Sequence, residues 1–486
     1  RTGQGTLAFL NGDVYIGEFK NNEMSGQGKY IFENGNIYEG DLTRDKRTGQ
    51  GTLAFLNGDV YIGEFKNNEM SGKGKYTYKN GDTYDGEYLN GMKSGQGDYT
   101  LTDGNKYVGE WKSNTKDGEG NYFYSNGDKY IGDWRNDTKD GEGKLIFGNG
   151  EEYVGGFNKN EMSGQGIYTF KNGDFYDGGW KNDKRDGQGI LIYSNGNKYT
   201  GEWTKDKRTG DGVINFNNGS TYDGEWINDY IEGHGIFTFS NGDIYKGEWK
   251  NEKKEGQGNY TFKNGDSYEG EWKSNIRNGE GTFSYINGDK YQGQWENDKR
   301  DGTGVINYAN GDNYDGNWKN GHIHGNGTFT TSDGDKYKGE WKNDMKDGQG
   351  TFSYANGDKY QGQWKNDKRD GRGIINYLDG DRYDGEWEKG HIHGKGTFSN
   401  SVGDKYIGEW ENDNKNGHGT INYVNGDRYV GQWVYVQMSG KGVYSYKNGN
   451  KYDGEWKNDN KEGQGKFIYT NGDIYVGEFK NDEMSG

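Results

Sequence analysis

Few kinds of residue in this chain could do chemistry, but each recurs many times. Four of the six histidines form two His-x-His pairs, His322 with His324 and His391 with His393. Such a pair can offer two imidazole nitrogens to a zinc ion, but a site needs further ligands. The pairs stand three units of the chain's internal period apart, about 30 Å at sheet spacing, and there is no cysteine to complete either one. No metal site is expected. Carboxylates such as Glu110 and Asp117 return in copy after copy, and a pattern repeated along a chain describes a surface, whereas acid–base catalysis needs a singular pair. Gly-x-Gly also recurs, but a strand pattern follows each one. A phosphate cradle needs a helix N-terminus there. The basic pairs Lys299-Arg300 and Lys368-Arg369 are flanked by Asp298, Asp301, Asp367 and Asp370, the composition of a solvated mixed-charge turn. No nucleophile stands with a base. No catalytic residue, enzyme activity or cofactor is expected.

The elements that carry these residues follow one rule. From Tyr15 to Tyr475 every 23rd residue is tyrosine, giving 21 copies in phase with no insertion or deletion. A period of that length marks a repeat architecture. Counting the tyrosine as position one, positions three and twelve are glycine in all 21 copies, and positions fourteen and twenty-one in the 20 copies that reach them. Position five is aromatic in 20 of 21 copies and holds all 15 tryptophans; Leu42 is the exception. Position sixteen is always large and apolar or aromatic, and position eighteen is aromatic except at Leu101, Thr331 and Asn400.

The apolar period within each copy is two, which is strand alternation, and no helical stripe occurs. Asn-Gly-Asp before the next tyrosine is a hairpin signal. With an odd-length turn centred there, position five faces fourteen, three faces sixteen and one faces eighteen, both within a copy and across to the next. The predicted fold is all-β: an elongated, twisted, single-layer antiparallel ribbon or solenoid of hairpins with one aromatic face. That face includes Tyr199, Trp203, Tyr222, Trp226, Tyr245, Trp249, Tyr268, Trp272, Trp295 and Trp318. It is expected to be covered by curling, by a second chain or by a partner.

Tyr-x-Gly-Glu-Trp, a turn, Gly-x-Gly and Asn-Gly-Asp, recurring over the whole chain, resemble the MORN repeat. The resemblance implies an elongated antiparallel β-array. It also implies one of several settings: beside an enzyme domain, at membrane junctions, or in cytoskeletal and radial-spoke assemblies. Unlike members of mixed domain content, this chain is repeat throughout.

Residues 1–486 are expected to form one continuous array, since each repeat contacts only its neighbours. The chain starts at Arg1 and stops at Gly486, both mid-repeat, as a fragment of a longer array would. A net charge of −17 disfavours nucleic acid and anionic membrane, which call for basic patches. Zero cysteine suits a reducing compartment, and no apolar stretch is long enough for a transmembrane helix.

Variable chemistry is confined to positions six to thirteen. All seven methionines lie there, and the most deviant turn is Val434-Tyr435-Val436-Gln437-Met438, which carries no charge. Val434, Tyr435, Val436 and Met438 are therefore candidate protein-binding residues, with Tyr230 and Ile231 a weaker version. The resulting expectation is a non-catalytic scaffold in the cytoplasm. It would organise a cytoskeletal assembly, of ciliary or axonemal kind, through its aromatic face and variable turns, with homodimerisation through that face. The alternatives are a phosphoinositide- or membrane-binding module and a targeting array for an enzyme domain outside these residues.

Overall fold

The computed structural model describes residues 1–485. Among them are 43 strands and no helix. They form two compact units, Arg1–Ser240 with Lys250–Glu252, and Asn241–Trp249 with the described residues from Lys253 onward.

In the first unit Val14–Lys20 pairs antiparallel with Glu23–Ile31, setting Tyr15 opposite Tyr30, Gly17 opposite Gly28 and Phe19 opposite Met24. Glu23–Ile31 then pairs with Ile37–Thr43, with Tyr30 opposite Tyr38, Gly28 opposite Gly40 and Gly26 opposite Leu42. The second unit obeys the same rule. Tyr360 faces Ile375, Gly362 faces Gly373 and Trp364 faces Arg369; Ile375 then faces Tyr383, Gly373 faces Gly385 and Gly371 faces Trp387. Strands pack substantially only on their sequence neighbours, so each unit is a single layer.

The expected register is corrected by two residues. Position one faces sixteen, three faces fourteen, and five faces ten in its own copy and twelve in the preceding copy. The turn is odd in length, as expected, but is centred one residue earlier. Tyr377 donates its N–H to the Asp381 carbonyl at 2.8 Å and Gly380 donates to the Tyr377 carbonyl at 3.1 Å. The loop is thus Leu378-Asp379-Gly380, with Gly380 at φ +95°, a turn completed by a left-handed glycine. Moving the centre by one residue moves every partner by two, so each side chain keeps its expected face.

The opposite hairpin end is a two-residue turn. Asn366 (φ 46°) and Asp367 (φ 65°) are both left-handed, the geometry that matches strand twist and favours Asn and Asp. Between Gly362 and Trp364 the pairing is bulged, and the Gln363 side chain closes the bulge by accepting the Arg372 N–H at 2.8 Å.

Both edges are stitched copy to copy. At the loop edge Asp358 Oδ1 accepts the Leu378 N–H of the next loop at 2.8 Å, as Asp13 does from Glu33 at 2.8 Å. At the turn edge Asp367 Oδ1 accepts the Lys346 N–H of the preceding copy at 2.9 Å, as Asp45 does from Met24 at 2.7 Å. The Asn and Asp columns therefore serve as turn formers and as inter-copy acceptors at once.

Candidate interaction surface

The aromatic face is built over bare backbone. A Cβ on Gly373 would stand 2.3 Å from the Tyr360 hydroxyl, and one on Gly362 would stand 2.4 Å from the Gly373 Cα. The Tyr360 ring thus lies flat across two glycines, and its hydroxyl donates to the Gln363 carbonyl at 2.9 Å. Trp364 meets that ring edge-on at 5.2 Å between centroids, and Trp387 of the next copy meets it from the other side at 5.3 Å. The Trp387 indole N–H donates to the Gly373 carbonyl at 3.2 Å. Edge-to-face packing of this kind adds about 0.5–1.5 kcal/mol per pair beyond area burial.

Position ten closes the lane. The Arg369 guanidinium sits 4.1 Å over the Trp387 ring, and Arg185 sits 4.2 Å over Trp203 while bonding Asp206 Oδ1 at 3.3 Å and the Asp206 carbonyl at 2.9 Å. Lys93 places its ammonium within 5.4 Å of four rings, those of Tyr78, Tyr84, Tyr99 and Trp111. Burial pushes this ammonium down to about 8, and Lys254 likewise. Where position ten is not a cation it is apolar; it is buried at Met24, Met162, Ile231, Ile323, Ile392 and Met438, while Met484, in the last copy, is exposed.

This packing corrects three sequence expectations. Tyr199, Trp203, Tyr222, Trp226, Tyr245, Trp249, Tyr268, Trp272, Trp295 and Trp318 are all buried, because each tyrosine lies on glycine and each indole is wedged between tyrosines. They form the core of the layer and offer no face to a partner. Met438 and Ile231 are buried as well and close the lane from position ten. In Lys299-Arg300 the arginine is drawn 4.2 Å over Trp318, so one cation of the pair serves the core; Arg369 in Lys368-Arg369 does the same.

What remains exposed is the turns and the opposite face. Val434, Tyr435 and Val436 are 46%, 74% and 48% exposed, and Tyr230 is 53% exposed, opposite Ile227 across its hairpin. His322 Nδ1 lies 2.7 Å from Asp344 Oδ2 and His391 Nδ1 lies 2.6 Å from Asp413 Oδ2, so each His-x-His turn pairs with the turn of the next copy. The face opposite the aromatics holds grooves that the sequence reading missed. One of about 490 Å³ runs over Gly327, Gly339 and Gly350 between Thr328, Lys338, Gln349 and Thr351. Another of about 610 Å³, in the first unit, is lined by Glu110, Glu119, Asp133 and Glu142. In both, the floor is the backbone of the two glycine columns, whose missing side chains face the aromatic lane, and the walls are the polar rows beside them.

The MORN repeat matches 21 consecutive segments, from 15–37 to 475–486, each beginning at the tyrosine that lies on glycine. The chain belongs to the MORN-repeat family. MORN repeats are generally non-enzymatic protein-interaction modules, and a chain built from them is a repeat-based interaction scaffold. No curated protein matches the MORN array. Among solved structures it is similar to the TCP10 domain of Danio rerio CPAP in complex with a peptide of STIL (13% identity, 51% of this chain and 94% of that one, TM-score 0.17). It is also similar to the TCP domain of SAS-4 from Drosophila melanogaster with a proline-rich motif of Ana2 (15%, 41% and 90%, TM-score 0.20). A third similarity is to a virginiamycin B lyase from Staphylococcus aureus with quinupristin (12%, 58% and 92%, TM-score 0.11). Likenesses at these TM-scores carry no functional argument.

Proposed function

We propose that this MORN array is a non-catalytic cytoplasmic scaffold on which a cytoskeletal assembly, ciliary or axonemal in kind, is organised. The observation that supports this reading is the stitching of both edges. Within each unit, each copy is bonded to the next by a side chain at the loop and, in most copies, by another at the turn, so the turns of a unit stand as a row of fixed, chemically varied platforms. Partner contact falls to these exposed turns and to the grooved face, since the aromatic lane is occupied by the chain's own packing. The phosphoinositide reading loses support, because the arginines of its basic turns stack on tryptophan.

The test is to tag the protein in its own cell, image it, and measure liposome binding in parallel. Location on a cilium or other filament array that survives phosphoinositide depletion is the expected result. A smooth membrane outline lost on depletion, with salt-sensitive binding to acidic liposomes, would replace the scaffold with a lipid-binding function.

A further inference from the structure

The hairpin turn at Tyr435 departs in two ways from the Asn-Asp turns on either side of it. Its two central residues, Tyr435 (φ 46°) and Val436 (φ 67°), are left-handed. Neighbouring copies place Asn412-Asp413 and Asn458-Asp459 in the same conformation. Asn and Asp tolerate that region, whereas a β-branched valine there is an outlier held by its surroundings. The flanking strands fix it, with Trp433 opposite Met438 and Val434 opposite Gln437 in register.

The same substitution removes a stitch. Asp413 Oδ1 accepts the Ile392 N–H at 2.7 Å and Asp459 Oδ1 accepts the Met438 N–H at 2.7 Å. Valine has no side-chain oxygen with which to accept the Lys415 N–H, and only the backbone bond from the Val436 N–H to the Lys415 carbonyl, 3.0 Å, remains. The turns at Gly91, Gly321 and Gly390 also lack that side-chain acceptor, but glycine takes the left-handed conformation without strain; at Tyr435-Val436 strain and the lost bond coincide, and what that turn gains is three consecutive exposed apolar side chains, Val434, Tyr435 and Val436. Tyr435 stands furthest out, with Val434 and Val436 half-exposed beside it.

The electrostatic setting limits what they can meet. Glu411 and Asp413 stand on the turn before, and Asp459 with Lys457 on the turn after. The Lys415 ammonium is turned inward, 5.0 Å from the Tyr406 ring and 5.3 Å from the Trp433 ring, so it does not offset the outward carboxylates. An apolar knob with a rigid aromatic tip, set among acidic neighbours on a chain of net charge −17, complements an apolar socket with a basic rim. A second copy of this chain would carry the same negative charge.

We propose that Val434, Tyr435 and Val436 form a docking knob for one protein partner, whose surface presents an apolar socket rimmed by lysine or arginine. This deepens the scaffold reading and rests on it.

The test uses the double variant Y435N/V436D, which installs the Asn-Asp pair of the turns on either side. In the cell of origin, a carbodiimide should link Asp413 or Asp459 to lysines of one other protein, and sequencing of the linked peptides should place apolar residues beside those lysines. In the variant, that linkage should fall by about tenfold or more while the melting midpoint rises, so that unfolding is excluded as the cause. Undiminished linkage in the variant would overturn the proposal, as would linkage to peptides without apolar neighbours or no linkage from either aspartate. Binding of the wild-type chain, but not the variant, to phosphatidylcholine vesicles with or without phosphatidylserine would assign the knob to a bilayer and equally overturn it. If the scaffold reading itself fails, the wild-type protein leaves the filament array; if only the knob fails, it stays there with linkage unchanged.

Discussion

Replacing Gly373 with alanine tests the packing from which the layer is built. Gly373 has ordinary strand geometry, so G373A adds no backbone strain; what it adds is a methyl group where Tyr360 lies. The new Cβ would stand 2.3 Å from the hydroxyl, 2.5 Å from Cζ and 2.6 Å from Cε2, and the backbone behind it is pinned by the pairing with Gly362 and Gly385. The ring must lift. Overpacking of this kind costs about 1–3 kcal/mol. Losing the hydrogen bond from Tyr360 to the Gln363 carbonyl adds about 1 kcal/mol. Two edge-to-face contacts, to Trp364 and Trp387, are weakened at about 0.5–1.5 kcal/mol each. The expected loss is roughly 3–7 kcal/mol, and it stays local because each repeat is held by its neighbours. Hydrogen exchange should show protection lost across 360–396 and kept at 38–60. The control is Gly390, at φ +99° with nothing near its Cβ: G390A should cost about 1 kcal/mol, from backbone strain alone. If G373A proved no worse than G390A, or left exchange at 360–396 unchanged, the account of tyrosine lying on glycine would be wrong.

Other outcomes follow from the same geometry. R185A should destabilise by about 1–2 kcal/mol through loss of the Trp203 contact and the Asp206 bonds. R185M should cost less, because methionine fills the same position in other copies; denaturant melts of both variants compare them. D358A removes the acceptor of the Leu378 N–H at 2.8 Å and of the Asn356 amide at 3.0 Å; it should cost about 1–2 kcal/mol and speed exchange of the Leu378 amide. Stability should pass through an alkaline maximum. Lys93 and Lys254 titrate near about 8 folded against the ordinary 10.5, so the unfolded chain binds more protons between those values and stability rises with pH across that window. Buried phenols such as Tyr360 and Tyr30 are pushed up, Tyr30 to about 12. Unfolded tyrosine ionises near about 10, so stability then falls as pH climbs past that value. Melting midpoints from about pH 7 to about pH 11 should show the maximum, and K93M should flatten the rising limb.

The sequence by itself determined the number of copies, the strand pairs in each, and which residues share a face. A period of 23 with alternation of two admits little else. Two matters were decided only by the tertiary structure. The first is register. Alternation constrains parity and is blind to a slip of two residues, because such a slip returns every side chain to its own face. The choice lies in the turn, where left-handed Gly380 and the bond from Asp358 to the Leu378 N–H place the centre one residue earlier than the Asn-Gly-Asp motif suggested. The second is the status of the aromatic lane. An apolar row on a one-layer sheet reads as a surface awaiting a partner. Whether it is open depends on what the position-ten side chain does across a bulge, and a bulge sets position ten opposite position five where straight pairing would not. With Arg369 over Trp387 and Met438 opposite Trp433, the lane becomes the core, and the capacity to bind passes to residues such as Tyr435 that the core does not use.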